Sequence, residues 1–85
     1  MILSFLMGGE VIQVRVDEDR TLFFKGGATN GEWIEFGTLV GMVRGDTESA
    51  RMSQLIVRSL PSIDDVAWYV RDEFRRQGFE FVRQS

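Results

Sequence analysis

Histidine and cysteine are both absent from the 85 residues. Their absence removes the commonest general base, the commonest transition-metal ligand, thiolate chemistry and disulfides. The groups left for chemistry are carboxylates, hydroxyls, Tyr69 and Lys25, the one lysine beside nine arginines. A metal site built from these would be all-oxygen and suited to Ca²⁺ or Mg²⁺. Asp17-Glu18-Asp19 gathers three acids, but a calcium loop needs further oxygen ligands at fixed spacing and a glycine. A solvated turn accounts for the triplet. Lys25-Gly26-Gly27 with Thr29 has the composition of a phosphate nest. It lacks P-loop spacing and no helix is expected after it, so it reads as a hairpin loop. Arg44-Gly45-Asp46 reads as a charged turn. Glu35 would acquire a raised pKa only if its surroundings closed over it, and one carboxylate does not make an active site. The chain therefore reads as non-enzymatic, with no cofactor and no metal.

The residues that remain suggestive are aromatic and cationic, and their meaning depends on which elements carry them. The clearest element is a helix over 63–77. Ser62 is placed to cap the amide of Asp65, with Asp65 reaching back in a capping box. Asp64 and Asp65 lie in the first turn and Arg75 and Arg76 in the last, as the helix dipole favours. Gly78 stands where a left-handed residue ends a helix. Ile63, Val66, Ala67, Val70 and Phe74 form one apolar stripe.

Most of the rest reads as sheet. Residues 2–7 form a first strand ending in a Gly8-Gly9 turn, and residues 10–16 a second, in which Ile12, Val14 and Val16 alternate with polar neighbours. Residues 20–25 form a third. A three-residue turn with Asp19 left-handed would pair Val16 with Arg20, Val14 with Leu22, and Ile12 with Phe24, which keeps the apolar faces matched. Gly26 to Gly31 is a loop by composition, and residues 32–36 are a fourth strand with Ile34 and Phe36 facing in. Gly37 is a candidate bulge leading into a strand over 38–44, followed by a turn over 45–49. Residues 51–60 fit either a helix, through Met52, Leu55, Ile56 and Leu60, or a buried strand around Leu55-Ile56-Val57. Leu60 precedes Pro61, which favours extended backbone, and the strand is preferred. A short strand over 79–82 closes the chain. The expected architecture is a single α+β domain over 1–85. It comprises an antiparallel meander of about five strands, one amphipathic helix on one face and a short C-terminal strand.

If Ile12, Val14, Leu22, Phe24, Ile34 and Phe36 lie under the helix, the opposite face carries Val11, Gln13, Arg15, Phe23, Lys25, Trp33 and Glu35. The expected register sets Gln13 beside Phe23, Lys25 opposite Trp33, and Phe23 opposite Glu35. Such a face exceeds what solvation needs and has the residue types that carry interface energy. The competing structural reading closes another segment over this face, making a small barrel with Phe23 and Trp33 in its core. Trp68 falls off the helix stripe, on the side of Asp64, Arg71 and Arg75. It is either a second anchor or a flank residue in cation–π contact with an arginine.

Apolar content of 44%, charge of 27% and a net charge of −3 describe a folded chain. The acidic balance argues against nucleic acid as partner, since phosphate binding needs local positive charge. The apolar start is too short to span a bilayer and has no basic segment before it, so a cytoplasmic protein without a membrane contact is expected. The function these features support is a protein-interaction module or small assembly subunit, homo-oligomeric or bound to a protein partner. Its expected binding residues are Arg15, Phe23, Lys25, Trp33, Glu35 and Trp68. The alternative is a small-ligand-binding domain with an aromatic pocket between helix and sheet.

Overall fold

The computed structural model of the chain describes residues 1–36 and 47–85, with the side chains of residues 28 and 47–50 excepted. The strand and bulge expected over 37–44, and Gly45 and Asp46, lie outside the described residues.

Among the described residues five strands form one antiparallel sheet: β1 (Ile2–Met7), β2 (Glu10–Val16), β3 (Leu22–Lys25), β4 (Ile34–Glu35) and β5 (Glu80–Gln84). Their order is β4-β3-β2-β1-β5. The fold is thus α+β, with the C-terminal strand completing the sheet. Gly8 and Gly9, at φ 58° and 82°, make the two-residue turn between β1 and β2. Two positive φ values in succession favour glycine and match the right-handed twist of the strands. That turn sets Leu3 opposite Val14 and Phe5 opposite Ile12, so the alternation of β2 orients β1 as well.

The β2–β3 connection departs from expectation. The strands pair Val16 with Leu22, Arg15 with Phe23, Val14 with Phe24 and Gln13 with Lys25. The loop spans Asp17 to Thr21, two residues longer than the sequence reading, and Gln13 does not lie beside Phe23. Arg20, at φ 65°, takes the left-handed position expected for Asp19. The reason lies in local hydrogen bonding. Asp19 Oδ1 accepts the Thr21 amide at 3.0 Å, and the Asp17 carbonyl accepts the Arg20 amide at 2.8 Å. A slip of two preserves side-chain facing, so every face assignment survives.

Two helices accompany the sheet among the described residues: α1 (Thr47–Ser59) and α2 (Ile63–Arg76). α1 overturns the strand preferred for residues 51–60 and the turn expected at Thr47, Glu48 and Ser49. Thirteen residues rich in Glu, Ala, Arg, Met, Gln and Leu favour a helix. The effect of Pro61 is confined to ending that helix at Ser59. α2 is as expected at both ends. Ser62 Oγ accepts the Asp65 amide at 3.2 Å and donates to Asp65 Oδ2 at 3.0 Å, so the return contact goes through the hydroxyl. Gly78, at φ 95°, donates to the Arg75 carbonyl, and Phe79 donates to the Phe74 carbonyl. This pair of bonds is a Schellman ending, and the Phe74 and Phe79 rings 5.2 Å apart add its usual apolar contact.

The core lies between the sheet and the helices. Leu3, Phe5, Ile12, Val14, Val16 and Leu22 meet Val57 of α1 and Val66, Ala67, Val70 and Phe74 of α2. Phe24 and Phe36 pack against this cluster from its margin. Ile63, placed on the α2 stripe by periodicity, is instead 43% exposed.

Candidate interaction face

β2, β3 and β4 carry the site. Alternation along each strand turns Arg15, Phe23 and Lys25 away from the core, on the same side as Trp33 just before β4. Phe23 lies opposite Glu35 and Phe24 opposite Ile34, the register expected for this pair of strands. The fourth strand is shorter than expected, Ile34–Glu35 against residues 32–36, yet the Phe36 ring still reaches Phe74 at 6.3 Å.

The outward side chains stack on one another. The Arg15 guanidinium carbon sits 4.3 Å from the Phe23 ring centre and 5.0 Å from that of Trp33. Lys25 Nζ is 5.4 Å from the Trp33 ring centre. Each cation meets the negative face of an aromatic ring, an attraction that strengthens as water is excluded. Asp17 fixes the other side of Arg15, with Oδ1 2.8 Å from Nε. Arg15, Phe23, Lys25 and Trp33 are half-buried by this mutual packing, while Val11 and Glu35 are exposed. No closed barrel forms among the described residues. β1 lies within the sheet, and residues 51–59 are helical with Val57 in the core.

β1 also contributes to this face, beyond what the sequence leads one to expect. Ile2 lies opposite Arg15, Ser4 opposite Gln13, and Leu6 opposite Val11. Gln13 Nε2 donates to Ser4 Oγ at 3.3 Å, and Ser4 is buried there. The face thus extends from Trp33 across the cation–aromatic stack to the half-buried Ile2 and Leu6. The signal was present: a two-residue Gly8-Gly9 turn places Phe5 opposite Ile12 and so turns Ile2, Ser4 and Leu6 outward.

The other sequence candidates have local occupations. The amide of Gly27, within the 3-10 turn Gly27–Thr29, donates to Glu10 Oε1 at 2.6 Å. The Gly26 amide donates to Thr29 Oγ1 at 3.0 Å. A carboxylate of this chain therefore holds the place a phosphate would take. In the acidic turn Asp17 faces Arg15 and Asp19 faces Thr21. The Thr21 amide and hydroxyl hold the Asp19 carboxyl below the usual aspartate range. Among the described residues no three acids converge on a point that would hold a metal.

Trp68 does not join the sheet face. It projects from α2, 64% exposed, and the Arg71 guanidinium carbon lies 4.4 Å from its ring centre. Arg75, expected on the same side, turns to Asp72 at 2.7 Å. No described helix is long and apolar enough to cross a membrane. Comparison with protein-family models, curated proteins and solved structures finds no match to this chain.

Proposed function

We propose that the chain is a non-enzymatic protein-interaction module, acting as a homo-oligomer or as a small subunit of a larger assembly, and that it binds through the sheet face turned away from the helices. The observation that carries this reading is the Phe23–Arg15–Trp33 stack, with Lys25 on the indole, ordered on a face where Val11 and Glu35 stand exposed. An arginine already stacked and salt-bridged loses little freedom when a partner covers it, and Trp and Arg anchors supply most of the energy of an interface. Ile2, Leu6 and Val11 extend the apolar area beside the anchors. The alternative of a ligand pocket between helix and sheet draws no support from that layer. There the Phe74 ring lies within 4.8–6.4 Å of those of Phe5, Phe24, Phe36 and Phe79.

The test is solution mass across a concentration series, with iodide quenching of Trp33 in a Trp68→Phe background. Self-association that shields Trp33, and that Val11→Arg abolishes with the circular dichroism spectrum unchanged, supports the reading. So does a monomer whose Trp33 becomes shielded on adding a partner recovered by affinity capture. An oligomer or complex in which Trp33 quenches as freely as in the monomer removes the face from the interaction and overturns the proposal.

A further inference from the structure

Arg71 occupies the seam between α2 and β5, with an aromatic ring from each element against its guanidinium. Its guanidinium carbon lies 4.4 Å from the Trp68 ring centre and 3.8 Å from that of Phe81. Phe81 is itself anchored edge-on to the buried Phe5, with ring centres 5.7 Å apart. The ladder Trp68–Arg71–Phe81–Phe5 thus runs from the surface into the core. The guanidinium is thus already engaged in stacking. What it still offers is its in-plane edge of N–H donors, a fork that fits a carboxylate bidentately.

Nothing described in this chain uses that edge: among the described residues the Arg71 side chain makes no hydrogen bond and no ion pair. The nearest acids in sequence are committed elsewhere. Asp72 bridges Arg75 at 2.7 Å and Arg76 at 2.9 Å, and Glu73 reaches Arg76 at 3.3 Å. Those pairs also neutralise Arg75 and Arg76, which leaves Arg71 as the unpaired arginine of α2. Beside it stands Trp68, 64% exposed, with Arg71 against one face of its ring.

We infer that the α2–β5 seam is a receptor for an acidic side chain of a protein partner, with Arg71 holding the carboxylate and Trp68 packing an adjacent apolar residue. A polyphosphate partner would need several unpaired cations, and here Arg75 and Arg76 are paired on a chain of net charge −3. The site shares no residue with the sheet-face stack, and the inference does not rest on that reading.

The test is a ¹⁵N-resolved titration of the intact chain with acetyl-Leu-Glu-amide, following the Trp68 Nε1–H and Arg71 Nε–H resonances. Acetyl-Leu-Gln-amide and inorganic phosphate serve as the comparison probes. We expect saturable shifts of both resonances at millimolar Glu peptide, with binding about tenfold weaker for the Gln peptide. Arg71→Lys keeps the charge but loses the fork and is expected to weaken the Glu peptide several-fold. The wild-type comparison of the two peptides stands whether or not that variant folds. Equal shifts from both peptides, no saturation, or tighter binding of phosphate than of the Glu peptide would each overturn the inference.

Discussion

Arg20 shows how one residue can join two parts of the chain. Its backbone adopts φ 65° in the β2–β3 loop, an uncommon state for an arginine. Its guanidinium donates to the carbonyls of Val57 and Leu60 at the end of α1. It thereby occupies acceptors that a helix C-terminus leaves open and places positive charge at the negative end of the dipole. Asp19, displaced from the left-handed position, caps the same loop through Thr21. Its carboxyl is held low chiefly by the Thr21 amide, so the contact stabilises the fold above the pKa of an unfolded aspartate. That contribution fades as pH falls through the lower folded value. In a two-dimensional titration Asp19 should have a midpoint below that of an unstructured aspartate, with the Thr21 amide shifting in step. Asp19→Asn should remove that shift and flatten the acid side of the stability curve; an unchanged curve would show that the loop does not depend on the charge. At this scale the sheet face was legible, because Arg15, Phe23, Lys25 and Trp33 follow from strand alternation. The free edge of Arg71 was not, since it depends on Phe81 arriving from a strand ten residues later.

Elements were legible where two signals agreed and illegible where one had to decide. The Gly8-Gly9 turn and the alternation of β2 place β1 and β2, and paired caps define α2. For residues 51–60 the helical spacing of Met52, Leu55, Ile56 and Leu60 competed with a short apolar run and the pre-proline rule, and the deciding information lay upstream, in the residues that lengthen α1 to 13. The burial of α1 also runs against composition. Met52 and Leu55 are exposed at 61% and 57%, while the polar Gln54 turns inward. Its Nε2 donates to the Arg20 carbonyl at 2.6 Å and its Oε1 accepts the Leu22 amide at 3.3 Å. One side-chain amide therefore satisfies a donor and an acceptor at the mouth of the β2–β3 hairpin, as a neighbouring strand would. Gln54→Ala strands both groups in a half-buried place and should cost about 1–3 kcal/mol. Leu55→Ala, one position along, should stay within about 0.5 kcal/mol. Urea denaturation of the two variants reads the contrast, and faster exchange of the Leu22 amide in Gln54→Ala alone would trace it to this contact. Equal costs would mean that α1 is held by apolar packing only.

At the scale of the whole molecule, the sheet and α2 converge on one ring. Phe74 lies 4.8 Å from Phe5 in β1, 6.4 Å from Phe24 in β3, 6.3 Å from Phe36, and 5.2 Å from Phe79 at the approach to β5. The last turn of α2 thereby holds both ends of the sequence and the margin of the sheet in one aromatic cluster. A chain of 85 residues has a net stability on the order of 4–13 kcal/mol, and removing a buried phenylalanine costs about 3–5. Phe74→Ala should therefore take away much of the total and leave the protein unfolded or loosely packed at 37 °C. Phe74→Leu, which keeps most of the volume, should retain a cooperative transition at lower temperature. Near-ultraviolet circular dichroism during thermal unfolding separates these outcomes. The same logic bears on the sheet face. Val11, exposed and outside this core, can be altered to test binding without loss of the fold, and a Val11→Arg protein that melts like the wild type makes its binding result interpretable. If Phe74→Ala instead melted within a few degrees of the wild type, the core would be distributed well beyond this ring.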